Sequence, residues 1–432
     1  CRFGTNTAAS KLQRTPSSNG NLQTLTFSTW VKRSQLGTRQ KLYICGEGVS
    51  YGYYSDIAFE GPTYGENKLY ARLESGGTMF LSTQVFRDVS GWYHIVMAID
   101  TTQADADDRC KVYVNGERIT DWVTNPASTI SQNYNTSYTW AGNGIKQTVG
   151  AEGLGNASEF NAVRGYMADT YLVDGTQLAI GDTGEFKNGV WIPKDPSGFT
   201  FGTNGFLLNY ASSSDLGNDV SGNNNDFTAT SISAQDQTSD SPTFNSNSNG
   251  GNFATWNFLS RTNPALSYGA STFSEGNLAF AGATGGTAST GSTFSMQSGK
   301  WYAEVMQSGT PNGGFPALGV IYTNRMGSAQ GTSNIQPQNG FTSFIAQTNG
   351  NIYKFDASSG ASYGSGFGNG DICNIAVDID AGKIWWGKNG TWFNSGNPAT
   401  GAYPGDTFTA GRDLSLWVGG YSGSGTSILN AG

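Results

Sequence analysis

Ile384-Trp385-Trp386-Gly387-Lys388-Asn389-Gly390-Thr391-Trp392-Phe393 is the stretch on which the fold assignment turns. Both arms are rich in aromatic and β-branched residues, which suit a pleated surface. They meet at Asn-Gly, the dipeptide that tolerates positive φ at both central positions of a type I′ turn, so a tight hairpin is expected. Side chains alternate along a strand, so Trp385 and Trp386 must point to opposite faces. The device recurs in Lys111-Val112-Tyr113-Val114-Asn115-Gly116-Glu117-Arg118-Ile119, where Val112 and Val114 share a face. Outward from these hairpins, alternating apolar and polar residues predict strands over 25–32, 92–99, 166–173, 300–306 and 372–379. No amphipathic helix longer than two turns is expected. The pattern predicts an all-β chain of two antiparallel β-sandwich domains joined by a polar linker.

Composition agrees with this expectation. The 432 residues correspond, at ~150 per domain, to two or three domains. Charged residues make up 13% against an ordinary ~25%, while Gly reaches 61, which argues against coiled coils and helical repeats. The 24 Phe, 20 Tyr and 11 Trp supply the large apolar groups that disordered chains lack. A net charge of −8 without a basic cluster leaves phosphate binding without its driving force, so nucleic acid is not an expected partner. No run approaches ~18 apolar residues, so membrane insertion is not expected, and residues 1–30 lack the order of a secretory signal. Cys1, Cys45, Cys110 and Cys373 are too scattered for a disulfide framework. Ser, Asn, Asp, Thr and Gly dominate 212–251, headed by Ser221-Gly222-Asn223-Asn224-Asn225-Asp226. The expected organisation is a β-sandwich over 1–210, a linker over 211–269 and a second β-sandwich over 270–432.

Thr26-Phe27-Ser28-Thr29-Trp30-Val31-Lys32-Arg33, Gly91-Trp92-Tyr93-His94-Ile95-Val96-Met97-Ala98-Ile99-Asp100, the 112–116 hairpin, Gly165-Tyr166-Met167-Ala168-Asp169 and Leu178 follow in order. In that spacing the first half resembles the laminin-G-like, concanavalin-type jelly roll over about residues 20–180. Trp30, Trp92, Ile95 and Val112 are then expected in the core, each contributing a few kcal/mol when buried. Gly299-Lys300-Trp301-Tyr302-Ala303-Glu304-Val305, Leu318-Gly319-Val320 and the run from Gly370 to Gly390 resemble the SPRY domain over about 270–432. That resemblance implies a twisted sandwich whose loops recognise partners, without a shared catalytic centre. The order of the two domains around Gly222-Asn223-Asn224-Asn225-Asp226-Phe227 and Asp240-Ser241-Pro242-Thr243 is similar to virion structural proteins of marine tailed phages, tail fibres and other appendages among them.

Candidate chemistry is sparse. His94 is the single histidine, so a nucleophile–histidine centre has one possible base; its place inside a strand favours a structural role. Asp105, Asp107 and Asp108 cluster before the 112–116 hairpin, where carboxylates can hold calcium, although the EF-hand spacing is absent and a solvated loop is the simpler reading. No other cofactor or metal is expected. The paired-carboxylate run of concanavalin-type glucanases is missing; Asp378 and Asp380 fit a hairpin, Asp169 and Asp174 a strand end and its turn. Tyr363, Phe367, Trp386, Trp392 and Tyr403 lie beside polar turns and are the candidate ligand platform, with the outward member of the Trp385, Trp386 pair foremost.

The expected function is therefore non-enzymatic: a virion structural protein that attaches to a host-surface glycan or protein, contacts other virion proteins and forms a homo-oligomer. A secreted or cell-surface lectin-like adhesin and a concanavalin-fold glycan hydrolase are the alternatives.

Overall fold

A computed structural model of the chain describes residues 1–4, 9–48, 53–73, 79–124, 130–136, 140–153, 161–242, 251–261, 271–282, 287–311, 316–326, 341–355, 357, 359–421 and 425–430. Predicted strands appear close to where alternation put them, as Thr24–Arg33, Tyr93–Asp100, Gly165–Asp174, Lys300–Ser308 and Ile372–Asp378. Among the described residues the longest helical element is the four-residue Ile180–Thr183, so the fold is all-β. The chain forms two compact units, Cys1–Asn252 and Phe253–Gly432.

In the first unit, one sheet runs Arg2–Phe3, Gly165–Asp174, Thr24–Arg33, Tyr93–Asp100, Cys110–Val114, Glu117–Arg118, with Phe206–Leu208 also on Gly165–Asp174. A second, eight-stranded sheet runs Trp122–Thr124, Met79–Val85, Lys68–Arg72, Tyr53–Phe59, Gln40–Gly48, Lys146–Val149, Lys11–Arg14, Thr228–Thr230. Phe27, Val31, Ile95, Met97 and Val112 from one sheet meet Leu12, Tyr43, Ile57, Phe59 and Phe80 from the other, forming the sandwich core. Trp30 and Trp92 lie outside it. Alternation sends Trp30 to the opposite face, where it stacks on its register neighbour His94, and Trp92 is only half-buried, its indole N–H donating to Asp240 at 3.3 Å. That outer face is covered by a hairpin of Gly184–Lys187 and Val190–Pro193, turning on Asn188 and Gly189 at φ of 52° and 79°. The sequence carries this Asn-Gly turn as plainly as those at 115–116 and 389–390.

The described residues 211–242 of the expected linker differ from a free linker. Thr228–Thr230 pairs with Lys11–Arg14, and Leu216 and Phe227 enter the first core. The buried carboxylate of Asp219 accepts from the backbone N–H groups of Leu207, Ser221 and Asn225, while the amides of Asn223 and Asn225 donate to carbonyls of residues 202–205. Short polar side chains here substitute for backbone partners, so a loop-like composition yields a fixed clasp. Lys32 holds both Asp240, at 2.9 Å, and Asn252, at 2.8 Å, onto the unit. Thr243 lies outside the described residues. Residues 253–261 belong to the second unit, with Trp256 in its core.

The second unit is also a sandwich. Its eight-stranded sheet runs Thr272–Ser274, Ala279–Ala281, Thr426–Asn430, Lys300–Ser308, Ile372–Asp378, Lys383–Lys388, Thr391–Trp392, with Asp406–Thr407 also on Lys383–Lys388. The other sheet runs Thr287–Gly291, Leu414–Tyr421, Ala317–Tyr322, Thr342–Ala346, Asn351–Tyr353, Ala361–Ser362. Val305, Ile375, Val377, Ile384 and Trp386 face Leu318, Val320, Ile345, Leu416 and Val418. All strand pairs described in these sheets are antiparallel.

Candidate functional site

The five aromatic candidates separate once folded. Trp386 and Phe367 are buried in the second core, where the indole N–H of Trp386 donates to the Leu318 carbonyl at 3.3 Å. Trp385 does face the other way, but loop 393–405 closes over it and its indole N–H donates to the Ala402 carbonyl at 2.8 Å. Neither tryptophan of the pair offers a surface to a ligand. Tyr363 is half-buried, edge-on to Trp386 and Phe393. Tyr403 is 70% exposed and isolated from the others' rings, while Trp392, half-buried, packs edge-on to Tyr302 at 6.2 Å. The platform expected from sequence is therefore not assembled by these five residues, because period-2 burial takes the largest of them inward.

The acidic cluster before the 112–116 hairpin is a short 3₁₀ turn whose carboxylates diverge. Asp105 accepts from the N–H of Asp107 at 3.0 Å, and Asp108 pairs with Lys111 at 3.2 Å and Arg118 at 3.6 Å. No group of three or more His, Cys, Asp or Glu is placed to hold a metal among the described residues. Asp378 and Asp380 accept from backbone N–H groups of Ala381 and Gly299, as hairpin-end carboxylates do.

His94 has a partner on each ring nitrogen. The indole N–H of Trp191 donates to Nδ1 at 2.9 Å, which leaves the proton on Nε2 to be donated to Ser28 Oγ at 2.8 Å. A serine at that distance invites comparison with a nucleophile–base pair, but a protonated Nε2 cannot take the hydroxyl proton. The ring is fully buried and stacked on Trp30 at 4.4 Å, and burial lowers its pKa to about 3. His94 is the peg that fastens the 184–193 hairpin to the sheet.

The group of chemically capable side chains that sequence reading missed lies on the outer face of the first unit's eight-stranded sheet. On Tyr53–Phe59 the residues Ile57 and Phe59 point into the core, so Tyr54, Asp56 and Ala58 point out; on Lys68–Arg72 the outward residues are Tyr70 and Arg72. Asp56 and Arg72 are register partners. Arg72 lies over the rings of Tyr54 at 4.7 Å and Tyr70 at 5.6 Å, and Arg39 over Tyr70 at 5.0 Å and Tyr64 at 5.9 Å. Beneath this ladder Lys41 pairs with Asp56 at 2.8 Å and Glu152 at 3.5 Å, and Arg39 with Glu60 at 2.9 Å and Asp56 at 3.6 Å. Asp56 is fully buried, and its Oδ1 has no hydrogen-bond partner among the described residues. Burial raises the pKa of Glu60, with Arg39 opposing the shift, whereas Asp56 and Glu60 together raise that of Arg39 despite its own desolvation. Upward from this buried floor the face opens to solvent: Tyr54 and Arg72 are half-buried and Tyr64 is 60% exposed. Outward tyrosines and charges alternating with apolar residues at 53–59 and 68–72 were the available signal; Arg39, Glu60 and Glu152 arrive from elsewhere and left none.

Residues 5–161, which include these strands, match the family model of the concanavalin A-like lectin/glucanase superfamily, laminin-G type. No curated protein matches the chain. Among solved structures, the SPRY domain of human HERC1 is similar at 16% identity, covering 38% of this chain and 94% of that one with a TM-score of 0.30. A candidate carbohydrate-binding protein from Bacteroides ovatus is similar at 14% identity over 54% of this chain and 58% of its own, TM-score 0.36. A heptameric SAP-like pentraxin from Limulus polyphemus shares 14% identity over 41% of this chain and 76% of its own, TM-score 0.30.

Proposed function

We propose that this chain is a non-enzymatic binding protein of a virion, a tail fibre, appendage or capsid-associated component that attaches to host-surface carbohydrate. The observation that carries the binding reading is the ladder Tyr54, Arg72, Tyr70, Arg39, Tyr64 above Lys41, Asp56, Glu60 and Glu152, on a domain matching a lectin and glucanase superfamily. The exposed Tyr64 and the half-buried Tyr54 offer ring surface to a sugar, the buried Tyr70 supports the two guanidinium groups above it, and the fixed guanidinium and carboxylate groups offer donors and acceptors for hydroxyls. The three cations and three carboxylates balance, which suits a polar ligand of little net charge. The virion assignment rests on the order of the two domains, and a homo-oligomer in contact with other virion proteins follows from it. The full chain, passed over immobilised bacterial surface polysaccharides, is expected to be retained, and Tyr54→Ala and Arg72→Ala are expected to weaken retention at least about tenfold with little change in melting temperature. Equal retention of wild type and both variants defeats the assignment to this face. Identification of the chain in purified particles by mass spectrometry tests the virion reading.

One observation favours a second reading, glycan hydrolysis: Asp56, Glu60 and Glu152 converge, and burial raises the pKa of Glu60 as an acid catalyst requires. Against it, each of these carboxylates is tied to Lys41 or Arg39. Release of reducing sugar by wild type but not by Glu60→Gln would establish hydrolysis; retention without release supports binding alone.

A further inference from the structure

We propose a second carbohydrate site, on the outer face of the second unit's eight-stranded sheet, that takes an uncharged sugar. On Lys300–Ser308, Ala303 and Val305 pack on the core, so Tyr302 and Glu304 face outward; Asn374 and Asn430 are the register partners of Glu304 on the two flanking strands. Four side chains thus meet at one point of the sheet. The Tyr302 hydroxyl donates to Glu304 Oε1 at 2.6 Å and accepts from Asn374 Nδ2 at 2.6 Å. Asn430 Nδ2 donates to Glu304 Oε2 at 3.0 Å, and Asn374 Oδ1 is held by the N–H of Gly390 at 2.8 Å. Trp392 stands edge-on to the Tyr302 ring, which is 56% exposed.

This arrangement is organised for a ligand rather than for folding. Glu304 is half-buried and forms no ion pair among the described residues; its donors are neutral amides and a phenol, which orient both oxygens and leave further lone pairs outward. An anionic sugar would meet an unneutralised carboxylate, so acidic glycans are disfavoured. A lysine or arginine from a protein partner would need acceptors only, whereas this face also presents the exposed Asn430 amide, with donors and a carbonyl. A flat ring, a carboxylate acceptor and an amide within one patch match the apolar face and hydroxyl edge of a neutral hexose. Trp392 supplies the second wall, so one of the aromatics singled out in the sequence takes part, together with partners that were not. The site lies in a different unit from the arginine–tyrosine ladder and is independent of it.

The full chain is titrated on immobilised dextran, mannan and galactan, with polygalacturonate and a polylysine surface alongside. Retention on at least one neutral polysaccharide is expected to persist in a chain whose first-unit ladder is silenced by Arg72→Ala, and in that background to be weakened at least tenfold by Tyr302→Ala and by Glu304→Gln, with thermal unfolding of each variant confirming its fold. Tyr302→Phe, which keeps the ring and releases the Glu304 oxygen, is expected to retain more affinity than Tyr302→Ala. The proposal is overturned by no retention on any neutral polysaccharide, by retention on polygalacturonate or polylysine in its place, by retention that Tyr302→Ala and Glu304→Gln leave unchanged, or by retention lost wholly on Arg72→Ala. The last outcome leaves the reading of the first unit standing.

Discussion

His94 and two glycines carry the clearest consequences at the scale of single residues. Burial holds the His94 pKa near about 3 against an ordinary 6.5, so between those values the unfolded chain binds a proton that the folded chain does not. Stability from this residue is complete above pH ~6.5 and is lost as the pH falls toward 3, at about 1.4 kcal/mol per pH unit. Asp169, pushed up to about 6 by burial, tilts the opposite way between its ordinary value and 6, so the wild-type curve is flattened. Urea midpoints measured from pH 7 to 4 are expected to fall less steeply for His94→Gln than for wild type; parallel curves would contradict the neutral buried histidine. Gly116 and Gly390 occupy the same hairpin position at φ of 83° and 81°, yet a Cβ at Gly116 would run into the ring of Trp191 whereas Gly390 has nothing within 4 Å. Gly390→Ala is expected to cost about 1 kcal/mol, the left-handed penalty alone, and Gly116→Ala clearly more. Thermal unfolding of the two variants tests the order.

Between elements, the decisive interactions are those that draw 211–242 and Asn252 onto the first unit. Lys32 and Asp240 are both buried, so removing one leaves a charge without compensation. Lys32→Met is expected to destabilise the first unit by about 3–5 kcal/mol, and Lys32→Met with Asp240→Asn by less, read from urea midpoints. Equal loss in both would mean that the packing of the lysine stem, not the charge, matters. The Thr228–Thr230 strand covers Lys11–Arg14 and brings Phe227 against Phe206 at 4.7 Å. A chain stopped after residue 210 is therefore expected to melt well below one stopped after 252, because it exposes an edge strand and removes core side chains.

At the scale of the whole molecule, two separate cores predict two separable unfolding events. Trp386 is fully buried among side chains from both sheets of the second unit, and Trp386→Ala is expected to cost that unit about 3–5 kcal/mol while leaving the first unit's transition in place. Calorimetry that shows a single shifted transition would contradict independent units. Circular dichroism is expected to show little helix.

The sequence by itself determined the strand positions, the Asn-Gly hairpins and the all-β class, because period-2 alternation and positive-φ turns are local properties that no long-range contact needs to supply. It also placed His94 inside a strand and so in a structural role. Tertiary structure decided which of the alternating aromatics were covered: Trp385 faces away from the core as alternation requires, yet loop 393–405 closes over it. It decided as well that Asp219, Asn223 and Asn225 form a clasp rather than a linker, since composition counts polar groups but not their partners. Both candidate sites join residues far apart in sequence, Arg39 with Arg72 and Glu152 in one, Tyr302 with Asn374 and Asn430 in the other. Their meeting is set by strand order and register, and neither is written in any single segment of the chain.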